Sequence, residues 1–171
     1  YVPTPVSGDR AFIAISGDQD HACALEAEGD AHCWGIGGKI GDGTFESRSV
    51  PTVVSGGHEF VTVSAGALHT CAIDSDGDAW CWGNNFYGQL GDPSVGDETL
   101  LAPVPVSGGH TFVALSAGGH HTCGIDSAGD TYCWGDGEYG LGTGVYADRP
   151  VPTLVSGGHE FVEITAGGFH T

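Results

Sequence analysis

Basic residues are nearly absent from this chain. Lys and Arg together number 4 against 22 Asp and Glu, which gives a formal net charge of -18 at pH 7. Phosphate backbones and anionic membrane surfaces would repel so acidic a surface. The composition therefore argues against nucleic acid as a partner.

Methionine and long apolar runs are missing as well. The sequence holds no Met, so Tyr1 cannot be an initiator residue, and we expect a mature segment or an excerpt of a longer product. The apolar runs are far shorter than the roughly 20 residues needed to cross a bilayer, and no charged-then-apolar leader opens the sequence. We therefore expect a soluble chain without membrane insertion.

What the sequence does contain is a repeat. Nearly the same segment, with two cysteines around an acidic, glycine-containing turn, occurs at His21–Gly35, His69–Gly83 and His121–Gly135. A V-S-G motif recurs roughly every fifty residues, a period typical of propellers and solenoids; its serines are Ser7, Ser55, Ser107 and Ser156.

Each unit reads as about four short strands joined by turn residues, without helical periodicity. We therefore predict an all-β fold in a single region, 1–171. Its repeats are approximately 1–48, 49–100, 101–149 and a partial 150–171.

The middle unit resembles a known family. Residues 50–92 contain an SAGxxHT segment, a hairpin that ends in WG, and a GNNxxGQLGD loop. This unit resembles the repeat of the regulator of chromosome condensation, and the resemblance covers essentially the whole chain. The corresponding loops of the first and third units, GIGGKIGDGT and GDGEYGLGTG, are looser matches.

The resemblance implies four-stranded antiparallel β-propeller blades, here about three and a half repeats that belong to a larger ring, array or assembly. It implies no single activity. The namesake is an exchange factor for a small GTPase that also docks on chromatin, whereas secreted bacterial relatives include a protein inhibitor of β-lactamases and many surface proteins.

The cysteines fit a structural role. If Asp74 faces Asp78 across the turn, Cys71 faces Cys81, and facing Cα atoms in a non-hydrogen-bonded pair lie about 4.5 Å apart, within disulfide range. We predict one bridge per blade, with cross-blade bridges or reduced core thiols as the alternatives; the pairs are Cys23 with Cys33, Cys71 with Cys81, and Cys123 with Cys133. The C-x9-C spacing argues against a C-x-x-C redox centre.

Bridged cysteines imply an oxidising compartment. We therefore expect an exported protein, extracellular or on the cell surface, of the secreted bacterial variety.

The tryptophans and the acidic turns each have a structural and a functional interpretation. We predict that the tryptophans pack between blades rather than form an exposed sugar-stacking platform; they are Trp34, Trp80, Trp82 and Trp134. The turn Asp74–Asp78 resembles the start of a calcium-binding EF-hand loop. However, Asn85 stands where a bidentate Glu is needed, and Ala128 replaces the middle carboxylate in the third copy. We therefore predict hairpin turns without metal or cofactor.

Two sets of histidines recur in step with the repeat. One set is His21, His69, His121 and His170, and the other is His58, His110 and His159. Such recurrence predicts a structural role, because every blade must satisfy the same hydrogen bonds; a metal-binding ring would need the histidines to converge across blades. His32 and His120 have no assignment.

No catalytic constellation stands out, because an active site needs one asymmetric set of groups. The individual loop Asp92–Ala102 is a weak indicator of one. We predict a non-enzymatic structural or adhesive protein that self-associates or binds proteins or glycans through its loops. The alternative is an inhibitor-like module that recognises one protein, which exposed aromatics on one rim would favour. An enzyme is the third possibility.

The two ends of the sequence are copies of each other. Tyr1–Ala22 aligns without gaps on Pro150–Thr171, so the chain has three cysteine hairpins but four copies of the segment that precedes them. Unpaired sheet edges invite another chain. We predict that the chain is never a free monomer: it is part of a longer array, or it joins head to tail in a ring or filament.

Overall fold

The computed structural model describes Val2, residues 5–138 and residues 140–171. Over this part of the chain the fold is all-β, as predicted, with three four-stranded antiparallel sheets, the blades. The first blade is β1 (Phe12–Gly17), β2 (His21–Glu26), β3 (Ala31–Gly35) and β4 (Arg48–Val53). The second is β5 (Phe60–Ala65), β6 (His69–Asp74), β7 (Ala79–Asn84) and β8 (Thr99–Pro105). The third is β9 (Phe112–Ala117), β10 (His121–Asp126), β11 (Thr131–Gly135) and β12 (Arg149–Leu154).

The strands of each blade follow one another in chain order. The blades are offset from the sequence units, because the Pro-containing segment that opens a unit is the outermost strand of the preceding blade. In the first blade, β4 pairs with β3 and places Thr52 opposite Cys33. An outermost strand tolerates proline, since its free side needs no N–H donor. Among the described residues no helix is long or apolar enough to cross a membrane.

The predicted hairpin register is confirmed. Cys71 lies opposite Cys81 and Ala72 opposite Trp80, and the turn closes with a hydrogen bond from Asp74 N to Asp78 O (3.0 Å). Gly77 makes this bend with a φ of 86°, a conformation that costs glycine little. All six cysteines fall into the three hairpin pairs, at disulfide distance and with a Cα–Cα separation of 4.1 Å in each.

The hydrophobic core lies between blades rather than inside them. Trp82 of the second blade is fully buried against Leu25, Ile40 and Phe60. Trp134 of the third blade is fully buried against Ile73 and Phe112. Each boundary is thus filled by one tryptophan from the following blade.

The other two tryptophans differ from this pattern. Trp80 is half-buried at the edge of the first core. Trp34 is half-buried too, and its ring stacks on Phe12 of its own blade with centroids 6.2 Å apart. Packing between blades stays a prediction for Trp34, because the described residues include no blade on that side of it.

Residues 155–171 continue past the third blade without forming a strand. They lie along the inner edge of that blade, where Ala166 N donates to Ser116 Oγ (2.8 Å). The same bond joins the first and second blades, from Ala65 N to Ser16 Oγ (2.9 Å). This terminal segment therefore occupies the place of the inner strand of a following blade, although it has no hairpin to pair with.

Candidate functional site

The antiparallel strand order creates two different ends of the blades. At one end, the long loops between the third and fourth strands lie beside the short links between the first and second strands, as in the bond from Asp136 N to His120 O (3.0 Å). We call this end the loop face; it comprises residues 18–20, 36–47, 66–68, 85–98, 118–120, 136–138 and 140–148. The opposite end, the turn face, carries the acidic hairpin turns 27–30, 75–78 and 127–130.

The first two long loops pack against the blade that follows each of them. Ile40 and Leu90, one in each of the first two loops, have no exposed surface. The carbonyl just before each of them accepts a hydrogen bond from a buried indole of the following blade, Trp82 Nε1 to Lys39 O and Trp134 Nε1 to Gln89 O, both 2.9 Å. The middle of each of these two loops is therefore held against the following blade.

The described part of each long loop exposes a large ring. Phe45 is 69% exposed, Phe86 is 62% exposed and Tyr146 is 83% exposed. Isolated apolar residues are normal on a surface, but an exposed aromatic side chain in each long loop, all on one face, is the kind of arrangement found in interaction surfaces. Sequence analysis did not single out these residues, because the loops differ in length and the rings fall at different positions in each.

A run of rings crosses the loop face from the second blade to the terminal segment. Phe86 contacts Tyr87 with centroids 5.1 Å apart, and Tyr87 stacks on His120 at 5.0 Å. His120 in turn meets Phe169 edge-on at 6.1 Å, and its Nδ1 lies 3.5 Å from Asp136 Oδ2. The position of His120 holds Asp20 in the first blade and Leu68 in the second. This departure from the repeat was the signal that could have identified it.

A cavity of about 230 Å³ opens beside this run of rings, at the boundary between the second and third blades. Phe86 and Tyr87 line it together with three carboxylate side chains, Asp92, Asp97 and Asp148. Asp92 and Asp97 belong to the segment Asp92–Ala102, which was predicted to be a loop; the structure confirms this only up to residue 98, because the residues from Thr99 onward pair with β7 as strand β8. The loop face thus combines exposed rings with negative charge.

The first set of histidines links neighbouring blades. The Nε2 atoms of His21, His69 and His121 lie 2.8, 2.7 and 2.8 Å from the hydroxyls of Thr70, Thr122 and Thr171. Thr122 Oγ1 donates its proton to Gln89 O (2.9 Å), so it must accept from His69, which therefore carries its proton on Nε2. The predicted structural role of these three histidines agrees with this geometry.

These histidines are neutral at pH 7. Burial lowers the pKa of His21 to about 4, with a smaller contribution from the charge of Lys39. Burial likewise lowers the pKa of His69 to about 3, and it lowers the pKa of His121. Unpartnered Nδ1 atoms on His21 and His69 lie buried. A proton on either of these atoms would lie in the interior without a hydrogen-bond acceptor.

The remaining histidines have other surroundings. His170 repeats the backbone bond of its set: its carbonyl accepts from Gly167 N (2.7 Å), as the carbonyl of His121 accepts from Gly118 N (2.8 Å). The second set stacks on aromatic neighbours within its own repeat: His58 on Trp80 (4.0 Å), His110 on Tyr132 (4.1 Å) and His159 on Phe161 (5.8 Å). His32 lies 5.9 Å from Phe12.

The acidic turns use their own carboxylates. Asp74 Oδ1 accepts from Asp76 N and Asp78 N, both at 3.0 Å, and Asp74 Oδ2 accepts from Trp80 Nε1 at 2.8 Å. Asp126 repeats the two backbone bonds in the third blade. Over the described residues no three His, Cys, Asp or Glu side chains come together as a metal site would require.

Sequential four-stranded antiparallel blades, packed face to face on buried tryptophans, define the class of the protein as a β-propeller repeat. The pattern of the Regulator of chromosome condensation (RCC1) repeat matches residues 28–73, 76–125 and 128–171, and a second pattern of the same repeat matches 60–89 and 112–141. The chain belongs to the regulator of chromosome condensation repeat family.

Solved structures agree on the fold. Prp20p from Saccharomyces cerevisiae, described with its binding properties to Gsp1p and histones, superposes with a TM-score of 0.77 at 22% identity, over 92% of this chain and 42% of that chain. Yeast RCC1 (Prp20) with Kap60 bound gives 0.80 at 22% identity, over 92% and 40%. The ectodomain of the receptor kinase CR4 from Physcomitrella patens gives 0.62 at 24% identity, over 100% and 41%.

This chain thus spans less than half the length of each of these proteins. At such identities the likeness establishes the fold alone. None of the curated proteins compared with the chain matches it.

Proposed function

We propose that the chain is a non-enzymatic recognition module of an exported propeller protein, and that its loop face binds a protein partner. The observation that carries the proposal is the exposure of a large ring in each long loop of one face, Phe45, Phe86 and Tyr146. Aromatic side chains on a rigid support are the residues that most often dominate the energy of protein interfaces. Exposed aromatic side chains on one rim favour a recognition module over an adhesive protein.

The charge of the face defines the kind of partner. Asp92, Asp97 and Asp148 lie beside Phe86 and Tyr87, and the whole chain carries a formal charge of -18. Complementary charge speeds association and excludes wrong partners. The partner therefore presents a basic surface whose side chains reach between the rings, where a Lys or Arg gains from both the carboxylates and the ring faces.

Similar folds support protein binding as the class of function. The yeast relative is described with Gsp1p, histones and Kap60 as binding partners. These partners are those of the yeast protein; for the present chain we propose only protein binding as the class of function. The three cysteine pairs support export, because such pairs persist as disulfides in oxidising compartments.

The alternatives from the sequence have less support. A head-to-tail copy would bring its own β1 to the third blade, where residues 155–171 already lie along Ser116 and Gly119. A sugar platform built on the tryptophans is disfavoured because Trp82 and Trp134 have no exposed surface. Recognition of a protein by the loop face therefore ranks above adhesion through self-association or glycans.

The test is affinity capture from the surrounding extracellular fluid with matched variants. One variant carries Phe45→Ala, Phe86→Ala and Tyr146→Ala. The control carries Val61→Ala and Val113→Ala, which are equally exposed, at 56% and 59%, but lie beside the acidic turn of the second blade. We expect the loop-face variant to lose a captured basic protein by about tenfold or more while the control keeps it. Equal recovery by both variants would refute the proposal.

A further inference from the structure

The long loop of the first blade contains a carboxylate that binds an arginine of its own repeat. Arg48 Nε and Nη2 both lie 2.6 Å from Asp42 Oδ2. Thr44 Oγ1 donates to the other oxygen, Asp42 Oδ1, at 2.9 Å. The side chain of Asp42 is only 5% exposed. The carboxylate at this position of the repeat is thus a binding group for a guanidinium.

The second blade keeps the carboxylate and lacks the arginine. Asp92 occupies the place of Asp42, because each follows the loop glycine that lies against a buried indole. Leu100 occupies the place of Arg48, because the two residues lie opposite the corresponding glycines of β7 and β3. No Lys or Arg occurs in residues 49–148. Asp92 therefore has no guanidinium within its own repeat.

The cavity of about 230 Å³ between the second and third blades opens at this carboxylate. We call it the Asp92 cavity. None of the described residues that line it is Lys or Arg. Asp97 and Asp148 line it together with Asp92, and none of the three forms an ion pair within the part of the chain that the structure describes. The negative charge of the Asp92 cavity is thus not compensated from within the repeat.

The two walls of the cavity are held in place by buried contacts. Asn85, which is 3% exposed, donates from Nδ2 to Gly96 O at 2.6 Å and accepts at Oδ1 from Leu90 N at 2.9 Å. On the other side, Gly88 packs directly on the third blade, since a Cβ added to it would lie 2.6 Å from Pro150 Cα. The space therefore belongs to the boundary between the blades and exists before a ligand arrives.

The lining favours a planar organic cation over a metal ion. Calcium needs six or more oxygens within about 2.6 Å, and the described residues bring no three ligating side chains together. The cavity exceeds several times the roughly 30 Å³ that a water molecule occupies in the liquid, so a guanidinium fits. Phe86 and Tyr87 add aromatic surface that attracts a cation. Arginine combines bidentate bonds to a carboxylate with stacking on rings, which lysine does not.

We propose that the Asp92 cavity binds one arginine side chain of the protein partner, an inference that rests on the proposed function of the loop face. The guanidinium bonds to Asp92 as Arg48 bonds to Asp42 in the first blade, and it lies against Phe86 and Tyr87. The partner thus supplies to the second blade the group that the first blade contains. Arginine is preferred to lysine at this place.

The test needs no partner protein. The intact chain, labelled with ¹⁵N, is titrated with Nα-acetyl-arginine amide and separately with Nα-acetyl-lysine amide, and the amide resonances are followed by NMR. We expect saturable shifts at Gly88, Gly96 and Asp97 with a dissociation constant of about 1–10 mM, as for a ligand of so few atoms. The lysine probe should bind at least about threefold more weakly.

A first pair of variants tests the carboxylate. Asp92→Asn should weaken binding of the arginine probe about tenfold, because it removes the charged acceptor of the guanidinium. Asp76→Asn removes the same charge from an exposed position of the turn face and should change the dissociation constant by less than about twofold.

A second pair of variants tests the place of the missing arginine. Leu100→Arg gives Asp92 a guanidinium from its own repeat, as in the first blade, and should abolish binding of the probe. Val53→Arg adds the same charge in the outer strand of the first blade, where Val53 is 53% exposed, and should leave binding intact. If Leu100→Arg does not fold, as judged by circular dichroism, the pair of aspartate variants decides the question alone.

Four results would overturn the proposal. They are absence of saturable shifts, equal affinity for the arginine and lysine probes, equal effects of Asp92→Asn and Asp76→Asn, and undiminished binding to folded Leu100→Arg. The capture experiment with the loop-ring variants uses no probe, and the probe titration uses no partner. Failure of the Asp92 cavity and failure of the proposed function are therefore distinguishable.

Discussion

His69 Nε2 lies 2.7 Å from Thr122 Oγ1, across the boundary between the second and third blades. Both side chains are completely buried. Thr122 Oγ1 in turn donates a hydrogen bond to Gln89 O, in the long loop of the second blade. One hydroxyl therefore ties together two blades and the loop that supports the exposed ring of Phe86.

Replacement of Thr122 by valine should destabilise the chain by about 1–3 kcal/mol, because it leaves the buried His69 donor without a partner at nearly unchanged volume. The Gln89 carbonyl loses one of its two hydrogen bonds and keeps the one from Trp134 Nε1. The measurement is urea unfolding followed by tryptophan fluorescence. Thr171→Val is the control: it removes the same bond to His121, but from an exposed residue, and should cost clearly less. Equal losses of unfolding free energy in the two variants would contradict the special role given to the buried Thr122 hydroxyl.

Acid should weaken the fold before most carboxylates titrate. The pKa values of His21 and His69 fall from the ordinary 6.5 to about 4 and about 3, so the unfolded chain takes up protons first as the pH decreases. Their contribution to stability is complete above about pH 6.5 and decreases toward pH 4 and below. His69→Gln keeps a donor for Thr122 without titrating. Its melting temperature should fall less steeply than that of the wild type between pH 7 and 4.5. If the two melting temperatures fall in parallel, His69 is not the group whose protonation destabilises the fold.

The cysteine pairs should be oxidised in the native protein. Digestion without reductant should release Cys23 linked to Cys33, Cys71 to Cys81, and Cys123 to Cys133. Each short loop closure contributes about 2 to 3 kcal/mol in the chain-entropy picture, so reduction should lower the melting temperature clearly. Recovery of six alkylated cysteines from unreduced protein would contradict both the bridges and the expectation of export.

The acidic turns should owe their stability to the backbone rather than to calcium. Asp74→Ala removes two bonds to backbone N–H groups and one to Trp80, and it should cost about 1–2 kcal/mol. Asp76→Ala, in the same turn, should change the unfolding free energy by less than about 0.5 kcal/mol. Adding calcium or a chelator should not change the unfolding free energy of either variant. A melting shift of many degrees on adding calcium to the wild type alone would show that the turn binds the ion.

The sequence predicted the hairpins well because their determinants are local. Asp74 and Gly77 fix the turn, and the turn fixes the register that brings Cys71 opposite Cys81. The blade boundaries were harder to predict, because the strand with Pro51 belongs by sequence to one unit and by hydrogen bonding to the blade before it. Repetition alone does not indicate where one sheet stops.

Contacts between blades could not be predicted for a related reason. The histidines were correctly expected to be structural, but the partner of His69 is Thr122, in the following repeat. The sequence does not predict the position of one blade relative to the next, and this position determines which residues meet across the boundary. The rings of Phe45, Phe86 and Tyr146 escaped notice because the repeat is least regular in the loops, and recognition surfaces are commonly built in such irregular segments.

The most direct test of the loop face as the recognition surface is amide hydrogen exchange of the chain with and without the captured basic partner. We expect new protection in the loops 36–47, 85–98 and 136–148 and unchanged exchange in the hairpin turns 27–30, 75–78 and 127–130. Protection confined to those turns, with the loops exchanging as fast as in the free chain, would contradict the account.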